Sequence, residues 1–140
     1  KAYGLAALRI GWCYTSQKVA DIIKKIKPPF NTTSISQAIA IKALEDSKYI
    51  DEIVKLNTEV KNWFESELKS LNIKTKITEG NFSLIETSND GAVKISNHLA
   101  KDGIIVRNLD SYNLPNFLRV SIGTKEEMEK TINSLKNLNE

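Results

Sequence analysis

The chain has 140 residues, 41% of them hydrophobic and 7% aromatic, enough apolar material for a real core and too much for a wholly disordered chain. Its net charge of +3 is spread with interspersed signs, so no basic face speaks for nucleic acid. No apolar run approaches the roughly 20 residues that cross a bilayer, and one Cys and one His exclude a disulfide framework, a CxxC site and any His/Cys metal cluster.

The first residues, Lys1-Ala-Tyr-Gly-Leu-Ala-Ala-Leu-Arg9-Ile-Gly-Trp12, lack the apolar core of a signal peptide and read as the interior of a larger protein. Residues 8–14 read as a short buried strand, with Cys13 as a small buried hydrophobe. Ser16 is a good N-cap, and Val19, Ala20, Ile22, Ile23 and Ile26 follow at helical spacing. Lys24, Lys25 and Lys27 suit the negative end of that helix. Pro28-Pro29 stops it and predicts an extended segment through Phe30, a natural domain crossing.

Ser34 with Gln37 reads as a capping box opening a helix over 35–44. A long helix is expected over 47–71, about 37 Å at 1.5 Å per residue, a length that links two lobes. Its apolar positions, among them Ile53, Val60, Phe64 and Leu68, keep a period near 3.6.

Beyond Asn72 the texture changes. Ile73-Lys-Thr-Lys-Ile77 alternates as a half-buried strand, and a Glu79-Gly80-Asn81 turn leads to a second strand over 82–86. Asn89-Asp90 caps a helix to Lys101, which Asp102-Gly103 ends. Strands are expected over 104–106 and 117–122. Thr124 with Glu127 forms a capping box for a last helix over 125–138. The order β-β-α-β-β-α predicts an α+β lobe with a small, mainly antiparallel sheet.

Of 20 basic residues only three are Arg, at positions 9, 107 and 119, each beside β-prone apolar residues. Arginine differs from lysine in its planar fork, which grips a carboxylate or phosphate with two parallel hydrogen bonds. A composition that uses lysine for ordinary surface cations therefore points to these three as places that need the fork. Structural pairing with a Glu remains the alternative. Lys24, Lys25 and Lys27 read as a charged helix end, His98 as a partly exposed histidine, and Trp63 and Phe64 as core or interface.

The block from Lys1 to Gly11 resembles the lysine segment of class I/II pyridoxal-phosphate aminotransferases. Lys27-Pro28-Pro29-Phe30-Asn31 is similar to the domain-crossing stretch of the histidinol-phosphate branch. Ser36-Gln37-Ala38 and Ala43-Leu44-Glu45-Asp46 continue the likeness. Gly103-Ile-Ile-Val-Arg107 and Phe117-Leu-Arg119-Val-Ser-Ile-Gly-Thr124 resemble the two arginine strands of that family's small domain. The blocks recur in family order along nearly the whole chain.

The resemblance implies an α/β fold of the type I aminotransferase kind. Residues 1–29 would be the tail of the cofactor-binding domain, 30–72 the interdomain helices and 73–140 the small domain. The chain would be the C-terminal portion of a transaminase, starting at its catalytic lysine and inactive alone. It implies pyridoxal 5'-phosphate as cofactor, with Lys1 forming the Schiff base and moving the proton at the substrate Cα, and Arg9 on the cofactor phosphate. Arg119 would clamp the substrate's anion, with Arg107 a second candidate. It further implies histidinol phosphate and 2-oxoglutarate as substrates, in histidine biosynthesis, and a cytoplasmic homodimer with no metal, nucleic acid or membrane. Aromatic aminotransferases and threonine-phosphate decarboxylases share these blocks. A free-standing α+β interaction module, with its arginines merely structural, is the reading outside enzymes.

Overall fold

The computed structural model describes residues 2–88 and 91–138. It divides into two compact units, Lys1–Val54 and Lys55–Glu140.

The first unit carries a short 3-10 turn at Ala6–Leu8, then helices α1 (Gln17–Ile26) and α2 (Ser34–Glu45) and the start of α3 (Ser47–Ser70). Helix α1 has Ser16 at its N-cap, as expected, and Lys24 and Lys25 in its last turn. Its last residue lies just before Lys27-Pro28-Pro29, where the second proline cannot donate and the first restricts its neighbour. The Ser34–Gln37 capping box does not form. Thr33 caps α2 instead, accepting from the Ser36 N–H at 3.1 Å, while the Gln37 amide reaches Thr32 Oγ1 at 3.0 Å.

Two further expectations fail in this unit. Residues 8–14 form no strand: Arg9 takes a left-handed backbone with φ 50°, which breaks an extended run. No strand of this unit lies beside them among the described residues, so the apolar run has nothing to pair with. Trp12 is 76% and Tyr14 95% exposed, and Cys13 is exposed where a buried thiol was expected. Phe30 is left-handed too, at φ 54°, and not extended. Among the described residues this unit buries no large apolar side chain; Ser36 alone is buried.

The second unit is a four-stranded sheet with helices packed on its inner side. Strands β1 (Lys74–Lys76), β2 (Phe82–Glu86), β3 (Arg107–Asn108) and β4 (Phe117–Ser121) lie in the order β1-β2-β4-β3, every pair antiparallel. Helices α4 (Gly91–Lys101) and α5 (Lys125–Asn137) complete it. The expected cap at Asn89-Asp90 falls outside the described residues. Val60, Phe64 and Leu68 of α3, each one helical turn apart, meet Ile85, Leu118 and Val120 from the sheet. Leu99, Met128, Ile132 and Leu135 from α4 and α5 close the same core.

The helix ends explain where the strands begin. Asn72, at φ 59°, follows α3, and the Ile73 N–H returns to the Leu68 carbonyl at 2.9 Å. Gly103, at φ 75°, follows α4, and the Ile104 N–H returns to the Leu99 carbonyl at 2.9 Å. Both are Schellman closures, with a left-handed residue just past the helix and an apolar residue folding back onto it. Ile104 is thus spent on ending α4, and the strand expected at 104–106 forms later, at Arg107–Asn108. The Thr124–Glu127 capping box of α5 forms as read, with Thr124 accepting from the Glu127 N–H and Glu127 from the Thr124 N–H.

Candidate functional site

Side chains alternate across a strand, so β4 sends Leu118 and Val120 into the core and Phe117, Arg119 and Ser121 to the outer face. The antiparallel register puts Arg119 directly opposite Leu84 on one side and Arg107 on the other. Lys76 faces Leu84 in turn, so a single row across the sheet reads Lys76, Leu84, Arg119, Arg107. The structure therefore brings together the two arginines that lie 12 residues apart in the sequence.

Like charges directly opposite each other on a sheet are destabilising, so such a pair is normally relieved by a carboxylate. Here Lys76 has one, Glu86 at 3.0 Å. Among the described residues neither Arg107 nor Arg119 forms an ion pair. The half-buried Arg119 keeps its Nε buried without a hydrogen-bond partner, and its guanidinium lies 5.6 Å from the Phe82 ring centre. Arg107 is exposed; it donates to the Tyr112 hydroxyl at 3.2 Å and rests 5.3 Å from that ring's centre. Tyr112 comes from a short 3-10 turn, Asp110–Tyr112, which left-handed Asn113 ends. Guanidinium groups with open donors and no counter-charge among the described residues are chemically able to take an anion.

Arg9 belongs to the first unit. Its guanidinium is exposed and donates one bond, to the Ala6 carbonyl at 3.0 Å, and it forms no ion pair among the described residues. The turn that carries it is pinned by buried Ser36 of α2, whose hydroxyl donates to the Leu8 carbonyl at 2.8 Å. Arg9, Tyr3, Trp12, Gln37 and Ile41 line an open, largely apolar groove. Lys1 lies outside the described residues.

Sequence reasoning quoted Ser36 only within the Ser36-Gln37-Ala38 likeness, without a role, and passed over Tyr112. Ser36 was hidden by the better-looking cap one turn-start earlier, at Ser34. Tyr112 sits in a polar loop where only its spacing of five from Arg107 offered a signal.

The class I and II aminotransferase family model matches residues 1–135. The histidinol-phosphate aminotransferase 1 of Idiomarina loihiensis is 38% identical over 138 residues, covering 99% of this chain and 37% of its own length. That of Psychrobacter arcticus is 34% identical over 142 residues, again 99% of this chain and 37% of its own. The chain thus spans little more than a third of these curated relatives. A solved histidinol-phosphate aminotransferase from Sinorhizobium meliloti, in complex with pyridoxal-5'-phosphate, superposes with a TM-score of 0.82 at 25% identity, over 99% of this chain and 40% of its own. On the match over 135 of its 140 residues, the chain belongs to the class I and II aminotransferase family.

Proposed function

We propose that this chain supplies the lysine and the anion-binding arginines of a pyridoxal-phosphate transaminase acting on histidinol phosphate and 2-oxoglutarate. The observation that carries the reading is the cross-strand register of Arg107 with Arg119, two arginines on one rung of which neither has an ion pair among the described residues. Such a pair suits an anionic substrate group, a phosphate or a carboxylate. Arg119 takes the substrate's anion, the carboxylate of glutamate or the phosphate of histidinol phosphate, and Arg107 is the second candidate for it. The histidinol-phosphate names of the relatives support that choice of substrate.

The residues present fit the cofactor. Arg9 has spent one donor on the Ala6 carbonyl and has no acidic partner among the described residues, which leaves N–H groups for a phosphate dianion. When bound, pyridoxal phosphate supplies an aldehyde for the amino group and a ring that delocalises the electrons left at the substrate Cα. Lys1 holds that group through its amine and carries the proton to and from the Cα. Arg9 fixes the phosphate end. In the same reading residues 1–29 are the tail of a cofactor-binding domain, 30–72 the interdomain helices and 73–140 a small domain, and the protein works as a cytoplasmic homodimer.

The test is nitrogen transfer. Full-length protein loaded with pyridoxal phosphate should sediment as a dimer and move 15N from labelled histidinol phosphate to 2-oxoglutarate, giving 15N-glutamate by mass spectrometry. Unlabelled glutamate pools after many hours, or a concentration-independent monomer, contradict the reading.

A further inference from the structure

We propose that Phe82 is a positioning residue for Arg119, its backbone held by the turn at 78–80, which Lys61 braces. The inference rests on the reading of Arg119 as an anion clamp. Phe82 faces Ser121 and Leu84 faces Arg119, so Phe82 and Arg119 are diagonal neighbours on the outer face of the sheet. The Arg119 guanidinium carbon lies 5.6 Å from the Phe82 ring centre, inside the range of a cation–π contact.

The backbone that carries the ring is itself held. The Thr78 hydroxyl donates to the Phe82 carbonyl at 2.6 Å. Lys61 of α3 donates to Thr78 Oγ1 at 2.8 Å and to the Gly80 carbonyl at 3.4 Å, and it also reaches the Thr78 carbonyl. Gly80 leaves the space the ring needs: a Cβ there would lie 2.5 Å from Phe82 Cε1, closer than real side chains come. A half-buried lysine and a hydroxyl thus fix the backbone that carries Phe82, a missing Cβ leaves room for its ring, and that ring abuts a half-buried arginine whose Nε has no partner. An apolar ring beside the guanidinium narrows its orientations and keeps water from one side, so the remaining donors bind an anion more strongly.

Phe82→Leu, Phe82→Tyr, Arg119→Lys and the Phe82→Leu/Arg119→Lys double variant, each in the pyridoxal-loaded full-length enzyme, test the inference. Phe82→Leu should raise KM for glutamate about 2- to 30-fold, the factor a cation–π contact carries, with kcat and cofactor content near wild type. Phe82→Tyr keeps the ring and should restore KM. In the Arg119→Lys background, Phe82→Leu should add less than about twofold, because the ring acts through the fork. Equal KM values for the Leu and Tyr variants, or a full multiplication in the double variant, overturn the positioning role. An impaired Arg119→Lys beside an unchanged Phe82→Leu overturns this inference alone. An unchanged Arg119→Lys overturns the clamp and the inference with it. If Phe82→Leu does not fold, Thr78→Val cuts the hydroxyl link to Phe82 without touching the ring. It should still raise KM for glutamate, and an unchanged KM there overturns the proposal.

Discussion

Arg119→Lys is expected to lower kcat/KM for glutamate by about 10- to 150-fold in the full-length enzyme. The substitution keeps the charge and removes the planar fork, so a bidentate clamp weakens while a plain surface cation is indifferent. One charge-assisted hydrogen bond is worth roughly 1.5–3 kcal/mol, which sets that range. Folding should change little, because Leu118 and Val120 on either side remain in the core. Cofactor content should hold as well, since the Arg9 guanidinium lies in the other unit and is pinned by its own turn. Steady-state kinetics with glutamate, together with the bound-cofactor absorbance, separate the outcomes. Full activity would make Arg119 a structural cation. An unfolded variant would make it the partner of a buried charge and remove it from the substrate site.

Phe64→Ala should destabilise the second unit by about 3–5 kcal/mol, the usual cost of emptying a fully buried aromatic site. Phe64 is completely buried at the middle of the α3 stripe, between Val60 and Leu68, against the sheet and both later helices. Ile85, Leu99 and Leu118 of the same core are themselves fully buried, which leaves them little freedom to fill the cavity. Native-state hydrogen exchange of peptides from β2, β4 and α5 in urea measures the loss directly. A shift below about 1 kcal/mol would mean that the core is looser than its burial indicates.

The second unit was legible in the sequence because its signals are local. The 3.6-residue stripe of α3, the alternation from Ile73 to Ile77 around β1, and the Thr124–Glu127 box each fix an element within a few residues, and each element forms where expected. Strand β3 slipped because two rules compete for Ile104: its apolar run suggests a ladder, while Gly103 before it commits it to closing α4. Residues 8–14 misled for a different reason. An apolar run records what a segment is meant to bury, and not which backbone it takes; left-handed Arg9 decides the backbone, and no adjacent residue announces it.

The site was readable only in part. The scarcity of arginine picked out the three positions, since a lysine-rich chain spends forks sparingly. That Arg107 faces Arg119 across one rung depends on a register set by β4, which no sequence spacing of 12 reveals. The Phe82 ring and its Lys61 support are more distant still, 37 and 58 positions from Arg119. They come together only because β2 pairs with β4 in one sheet and α3 contributes to the same core.

Borohydride reduction of the pyridoxal-loaded full-length protein, followed by peptide mass mapping, tests the assignment of the cofactor lysine most directly. The imine absorbance should disappear, and the phosphopyridoxyl mass should appear on the peptide holding residues 1–9, on Lys1. A label on any other lysine, or none on any, would contradict it.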